Sequence, residues 1–312
     1  MNRRTVAVLI LLASGLGEGC ARNDAGLTPA ASGIFLAQEQ WSAGGSNGVV
    51  MRTPRIRIFT NVPPGVLRSR LPATLEYTLA GIDRFWPGHP DPEPELEAVV
   101  YASLSEWRQA VARRFGIEPG EGLNYGAATS RGIALLHDIG PDGTLRLAAH
   151  EIWHAYAQRV LQSPLPTAMD EAIACYVEGL RWEPDADGPM LSPASNPIRR
   201  QHLALLASRG RLGSLAEHLA ADPHDLAHSA AGLDDYYARA WNLGLLLLDS
   251  GDVGLKKGVQ RLLEDARTGT LDSAAHVAGG EMLAWLSERY FNRSPAEMEE
   301  IWLRSAMRAI GP

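Results

Sequence analysis

The chain has little cysteine, no block of basic residues and no long apolar run. Its 312 residues include two cysteines, Cys20 and Cys175, so at most one disulfide is available. Lysine and arginine total 29 against 36 aspartates and glutamates, and this acidic balance without a basic cluster argues against a nucleic-acid partner. The apolar run Val6–Leu12 is too short to span a membrane.

The order of predicted elements indicates an α+β protein. Hydrophobic residues make up 46% of the chain, which is enough for a sizeable core in one large or two smaller domains. Residue patterns predict strands at 55–60, 96–102, 122–129 and 131–136, the last two joined by a tight turn at 130–132, and a helix at 66–86. A second helix, capped by Ser103 or Ser105, extends through Phe115 and is closed by Gly116. After residue 182 the spacing is helical, at about 198–209, 213–221, 234–249, 253–267, 273–291 and 295–309.

The central motif is His150-Glu151-Ile152-Trp153-His154, in a helix predicted from Thr144, its N-cap, to Leu161. His150 and His154 are four residues apart, so they lie on one face of the helix. Two imidazoles one turn apart can bind the same metal ion, and Glu151 beside them can reach a water molecule on that metal. The alternative is a pair of half-buried histidines in a packed helix.

A third metal ligand follows the motif. A loop at 162–168 with two prolines lets the chain turn back, and a second helix from about Thr167 to Trp182 then offers Glu171. Two histidines and one glutamate are a standard ligand set of catalytic zinc, which keeps an open fourth position. The sequence therefore predicts one Zn²⁺ per chain, held by His150, His154 and Glu171.

The second helix also carries a family resemblance. The segment Met169-Asp170-Glu171-Ala172-Ile173-Ala174-Cys175-Tyr176-Val177-Glu178 resembles the glutamate helix of the gluzincin metallopeptidases, roughly W-x-N/D-E-G-x-A-x-Y-x-E. Met169 and Ala172 depart from that pattern without removing a ligand. The element order is similar to the peptidase-MA-like branch over roughly residues 50–300. The resemblance implies a zincin-like α+β fold, with a small mixed sheet over the His-Glu-x-x-His helix and a C-terminal helical subdomain.

The resemblance implies a zinc-dependent hydrolase of peptide bonds in peptide or protein substrates. Glu151 would act as general base toward a metal-activated water molecule. An endopeptidase is favoured, because the Gly-x-Met-Glu-Asn segment with which related aminopeptidases hold a free N-terminus is not found. The alternatives are a zinc hydrolase of a non-peptide amide or ester and a non-catalytic surface lipoprotein that serves as a binding module.

Two further residues match the family's pattern. Glu178 lies nearly on the same helical face as Glu171 and is expected to accept a hydrogen bond from a ligand histidine, the alternative being an exposed acid. Tyr237 with Ala240 fits the Tyr-x-x-Gly/Ala/Ser pattern, in which a tyrosine just before a helix donates to the developing oxyanion. The adjacent Tyr236 leaves this register open, and a core position is the alternative for both. Residues 131–136 are the expected edge strand for an extended substrate.

The N-terminus resembles a bacterial lipoprotein signal, with Arg3 and Arg4 before the apolar run and Cys20 after it. The box Leu16-Gly17-Glu18-Gly19 departs from the usual one, and ordinary secretion is the alternative. The resemblance implies export, lipidation of Cys20 and membrane anchoring in the periplasm or at the cell surface. Cys175 would then be a lone thiol, and its small apolar neighbours favour a core position.

The expected organisation is a signal peptide at 1–20, a flexible tether at 21–50, an α/β subdomain at 51–162 and a helical subdomain at 163–312. A second histidine pair, His224 and His228, has Asp225 where the motif needs a glutamate, so a solvated surface pair is favoured. The isolated histidines His89, His202, His218 and His276 are predicted at the surface.

Overall fold

The computed structural model describes residues 7–10, 34–43, 46–116, 126–183, 188–226, 229–271 and 281–311. Cys20 and residues 21–33 of the predicted tether lie outside this part of the chain. The architecture is mixed α+β, as the sequence predicts. Within these ranges, no helix combines the length and the apolar character that crossing a membrane requires.

The chain divides into two compact units. The first comprises Met1–Ala80, Asp91–Arg159 and Leu180–Leu191, and the second comprises Gly81–Pro90, Val160–Gly179 and Ser192–Pro312. The strands lie in the first unit, and the second is built of helices and short turns.

The main sheet of the first unit is mixed. Its strands are β1 (Ala7–Ile10), β2 (Ala37–Ala43), β3 (Ser46–Arg52), β4 (Ile56–Thr60), β5 (Leu96–Tyr101), β6 (Gly126–Ser130) and β7 (Ile133–His137). They follow the order β1-β6-β7-β5-β4-β3-β2. The β4–β5 and β5–β7 pairs are parallel and the others are antiparallel. A separate ladder joins β8 (Leu180–Arg181) to β9 (Met190–Leu191).

The β2–β3 hairpin corrects the predicted tether. Sequence analysis placed a flexible linker as far as residue 50, but β2 and β3 pair along their whole length, with Ala43 opposite Ser46. Val49, Val50 and Met51 are buried, so β3 contributes to the core. The glycine- and serine-rich stretch that suggested a linker instead falls where two antiparallel strands are joined, a position that favours the same residue types.

The β6–β7 hairpin turns at Arg131 and Gly132, as predicted, with φ angles of 56° and 74°. These left-handed values suit a tight hairpin turn and are free of steric cost for glycine. β7 lies between β5 and β6, so it pairs with a strand on each side. The prediction that residues 131–136 form a free edge for substrate is therefore wrong. β6 is the outer strand of the hairpin, and its other neighbour, β1, belongs to the predicted signal segment.

Three helices are α1 (Val66–Ile82), α2 (Leu104–Phe115) and α3 (Pro141–Val160). α2 is capped by Ser103, one of the two predicted candidates, and is closed as predicted by Gly116, whose φ is 66°. α3 begins three residues before the expected cap, because Pro141 is well suited to a first helical turn. The Thr144 hydroxyl instead accepts from the Ile139 main-chain N–H at 2.9 Å and donates to Asp138 Oδ1 at 3.3 Å. Thr144 therefore joins the first turn of α3 to the loop before it.

The remaining helices are α4 (Thr167–Val177), α5 (Pro197–Ser208), α6 (Leu215–Ala220), α7 (Pro223–Leu226), α8 (Ala230–Leu248), α9 (Val253–Thr268), α10 (Met282–Leu286) and α11 (Pro295–Ile310), with a 3₁₀ turn at Pro193–Ser195 and a π turn at Ser287–Phe291. α4 ends five residues earlier than predicted, near Gly179, a poor helix former. A β-carbon at Gly244 of α8 would lie 2.4 Å from the Ala172 carbonyl oxygen of α4. The two helices that carry Glu171 and the tyrosine pair are therefore in direct contact.

Candidate metal centre

Two histidine side chains of α3 converge in the core. His150 and His154 are 0% and 1% exposed, and their Nε2 atoms are 3.0 Å apart. α3 is buried on most of its surface between Thr144 and Ala157, so it has no distinct polar face on which to place the pair. The spacing of four residues places both imidazoles on the same face of α3, where they are buried next to each other.

The described donor set fits a metal ion. The ligand atoms of His150, His154 and Glu171 all lie within 4.8 Å of one another, and all three residues are buried. Zinc–nitrogen bonds of about 2.0–2.1 Å in tetrahedral geometry place two nitrogens roughly 3.3 Å apart. The observed Nε2–Nε2 distance of 3.0 Å is close to that value. The two histidines and the glutamate predicted from the sequence therefore lie close enough to hold a metal ion.

A second possible ligand set shares one of these histidines. His150, Cys175 and Glu178 also have ligand atoms within 4.8 Å of one another. Burial raises the pKa of the Cys175 thiol well above its usual value, and the charge of Glu178 adds to that effect. Both carboxylate oxygens of Glu178 in this second set already accept hydrogen bonds from Arg199. The set that contains Glu171 is therefore the better candidate, and Cys175 is a buried free thiol.

The predicted base, Glu151, is fully buried and contacts the sheet. The Thr129 hydroxyl of β6 donates to Glu151 Oε2 and lies 3.4 Å from the Glu151 carbonyl oxygen. Both residues are 0% exposed. Sequence reasoning missed Thr129, because 22 residues separate it from Glu151 and only the placement of β6 beside α3 brings them together.

Glu178 belongs to a buried ion-pair network. Arg199 of α5 donates to both carboxylate oxygens, from Nη2 to Oε1 at 2.8 Å and from Nε to Oε2 at 3.1 Å. Asn196 Nδ2 donates to Oε2 at 2.9 Å. Burial disfavours the charged form of Arg199, but the Glu178 carboxylate outweighs this effect and raises the pKa of Arg199. Glu178 is thus buried, contrary to the exposed alternative, and its bond to a ligand histidine stays a prediction.

The tyrosine pair lies inside α8, not just before a helix as the family pattern implies. Ser229 caps α8 by accepting from the Gly232 N–H at 3.1 Å, and Tyr236 and Tyr237 fall in the second turn. The Tyr237 ring lies against the Arg199 guanidinium, 5.0 Å from its carbon to the ring centroid.

Both tyrosine side chains are protonated donors. Burial raises the pKa of Tyr236 and of Tyr237 well above the usual value, and the charge of Glu171 raises both further. Each phenol therefore keeps its proton at neutral pH. The Tyr236 hydroxyl is buried and has no hydrogen-bond partner among the described residues.

His218, predicted at the surface, is buried. It is 1% exposed, and its ring stacks on Trp302 at 5.7 Å and lies 4.9 Å from the Tyr236 ring. Burial, and then the charge of Arg239, lowers the pKa of His218 to about 3. The short helix α6 turns this side chain toward α8 and α11, an outcome that a lone histidine in the sequence does not reveal. Of the predicted surface pair, His224 is exposed and His228 lies outside the described residues.

Comparisons of the chain with protein-family models, curated proteins and solved structures gave no match.

Proposed function

We propose that the protein is a zinc-dependent hydrolase that cleaves peptide bonds. The observation that carries the proposal is the proximity of three buried ligands, His150, His154 and Glu171, with Glu151 next to the first of them. A buried histidine pair with a carboxylate is the ligand chemistry of a catalytic zinc site. The resemblance of residues 169–178 to the glutamate helix of gluzincins supports the same reading, as does the mixed α+β architecture.

The residues of the chain have distinct roles in this proposal. His150, His154 and Glu171 hold the zinc ion, which supplies Lewis-acid activation of a water molecule and of a carbonyl group. Glu151 accepts a proton from the attacking water and delivers it to the leaving amine. Burial strengthens the electrostatic part of these interactions, because the local dielectric is low.

Tyr237 is the proposed oxyanion donor. Its raised pKa keeps the phenol protonated at neutral pH, and the Arg199 contact fixes its ring. Arg199 also pairs with Glu178 at the C-terminal end of α4, the helix that carries Glu171. Tyr236 is the alternative donor, because its buried hydroxyl has the same protonation state.

An extended peptide is the proposed form of the substrate. Both neighbours of β7 lie outside the predicted signal segment, so the proposal assigns strand addition to β6. Residues of β1 occupy that edge, with Ala7 opposite Thr129, and they belong to the segment that signal cleavage before Cys20 would remove. Main-chain hydrogen bonds to a strand edge suit a peptide better than a compact amide or ester.

The test is metal analysis of the purified domain beside a mixed-peptide cleavage profile. We expect about one zinc per chain and turnover that a chelator abolishes and added zinc restores. Glu151→Gln should keep the zinc and lose nearly all turnover, because an amide does not accept the proton. Wild-type turnover in this variant contradicts the mechanism. Zinc-dependent turnover of small esters or amides alone supports the non-peptide alternative, and a metal-free, inactive protein supports a binding module.

We also propose export and lipid anchoring through Cys20, on the basis of the positive start and the apolar run ahead of it. The mature protein should partition with membranes, and Cys20→Ser should release it or block its processing. Mass spectrometry that finds an unmodified N-terminus at another residue contradicts this proposal.

A further inference from the structure

A buried hydrogen bond joins β6 to the catalytic motif of α3. The Thr129 hydroxyl donates to Glu151 Oε2 and also lies 3.4 Å from the Glu151 main-chain carbonyl oxygen. Both side chains are fully buried, so water does not readily replace the donor when the hydroxyl is removed.

The position of Thr129 is fixed by its surroundings. Its backbone pairs with Ala134 of β7, and its carbonyl oxygen accepts from Gln158 Nε2 of α3 at 3.4 Å. Gln158 Oε1 in turn accepts from the Gly132 N–H of the hairpin turn at 3.2 Å. The last turns of α3 are therefore joined to the β6–β7 hairpin. A β-branched side chain in a strand has few accessible rotamers, so a fixed backbone also fixes the hydroxyl.

We infer that Thr129 is a positioning residue, whose hydroxyl holds the Glu151 carboxylate in the orientation that proton transfer requires. The inference rests on the proposed function, in which Glu151 is the general base. A neutral hydroxyl orients the carboxylate without neutralising its charge.

Two substitutions separate the hydroxyl from the shape of the side chain. Thr129→Val keeps the branched shape and removes the donor, whereas Thr129→Ser keeps the donor. In Thr129→Val we expect unchanged zinc content, a KM within about twofold of the wild type and a kcat roughly 10- to 100-fold lower, as for the loss of a hydrogen bond to a charged group. Thr129→Ser should restore kcat to near the wild-type value.

Thr60→Val is the matched control. Thr60 is also a fully buried strand threonine, but its hydroxyl donates at 2.9 Å to the Val100 carbonyl oxygen. This variant should lose stability and keep its kcat. A similar fall of kcat in Thr60→Val and Thr129→Val overturns the inference, because it assigns the effect to the loss of any buried hydroxyl.

A second measurement does not depend on turnover. Thr129→Val is combined with Glu151→Ala, and urea unfolding of the four chelator-treated proteins is compared. If the two side chains interact, Thr129→Val lowers the unfolding midpoint in the wild type by more than in the Glu151→Ala background. Equal shifts in the two backgrounds, or a wild-type kcat in Thr129→Val, overturn the inference. If the wild type has no hydrolytic turnover, the proposed function is overturned instead. The unfolding measurements distinguish the two failures, because they do not depend on turnover.

Discussion

The histidine pair of α3 and the tyrosine pair of α8 are both buried, and the two rings of each pair are in edge-to-face contact, but their polar atoms are arranged differently. His150 and His154 are four residues apart, and their Nε2 atoms converge to 3.0 Å. Tyr236 and Tyr237 are consecutive, and their rings meet nearly edge to face at an interplanar angle of 85°. Consecutive helical residues point about 100° apart, so the tyrosines have different neighbours. Two side chains whose nitrogens converge can bind the same metal ion, whereas two tyrosines with different neighbours provide two separate hydroxyl groups.

The largest expected effect is the loss of the metal from the convergent pair. His150→Ala, His154→Ala and the double variant should each lower zinc affinity by more than the 10- to 100-fold that loss of a supporting partner typically costs. The double variant should be little worse than either single one in turnover, because one missing ligand already removes the site. Zinc content by metal analysis and peptide turnover are measured together. Full zinc content in either single variant contradicts the convergent arrangement.

The same comparison shows which features of the structure could be predicted from the sequence. The histidine pair and the Ser103 and Gly116 caps of α2 depend on local spacing, and the structure has them as predicted. The α+β class and most helices follow for the same reason. Glu171 was predicted from the proline-containing loop at 162–168, which lets the chain turn back, and from the ligand set of catalytic zinc.

Apart from the approach of Glu171 to the histidine pair, contacts between distant segments were not predicted. The hydrogen bond from Thr129 to Glu151 depends on the order of strands in the sheet, and the same order places β7 in the interior rather than at an edge. The burial of His218 depends on the packing of α6 against α8 and α11. The pairing of Arg199 with Glu178 joins two helices across a loop. The periodicity of residues within one helix or strand contains no information on contacts between segments that are far apart in the sequence.

The tyrosine pair gives the next largest effect. Tyr237→Phe keeps the ring against Arg199 and removes only the donor, so zinc content should be unchanged while kcat falls by about 10²–10³ and KM changes little. Tyr236→Phe is the control, because its ring packs against His218 instead. Steady-state kinetics of both variants decide the register. A large loss in Tyr236→Phe with near-normal Tyr237→Phe moves the role by one residue, and no loss in either assigns the oxyanion to zinc alone.

The smallest expected effect is the contribution of His218, which lies beside Tyr236, to the pH dependence of stability. His218 has a pKa of about 3 in the folded protein, because it is buried, against about 6.5 in an unfolded chain. Below about pH 6.5 the unfolded chain therefore binds a proton that the folded protein does not take up, and stability falls as the pH falls. At about 1.4 kcal/mol per pH unit, the loss reaches about 2 kcal/mol at pH 5.

The variant His218→Phe isolates this contribution. Phenylalanine keeps a ring against Trp302 and does not titrate, so the unfolding free energy of the variant should fall less between pH 7 and pH 5 than that of the wild type. Urea unfolding of chelator-treated protein is the measurement, because metal binding depends on pH as well. Carboxylates that titrate in this range contribute equally to both proteins and cancel in the difference. If the unfolding free energies of the two proteins have the same pH dependence, burial does not lower the pKa of His218. His218 would then contact solvent or a hydrogen-bond acceptor, instead of being a buried neighbour of Tyr236.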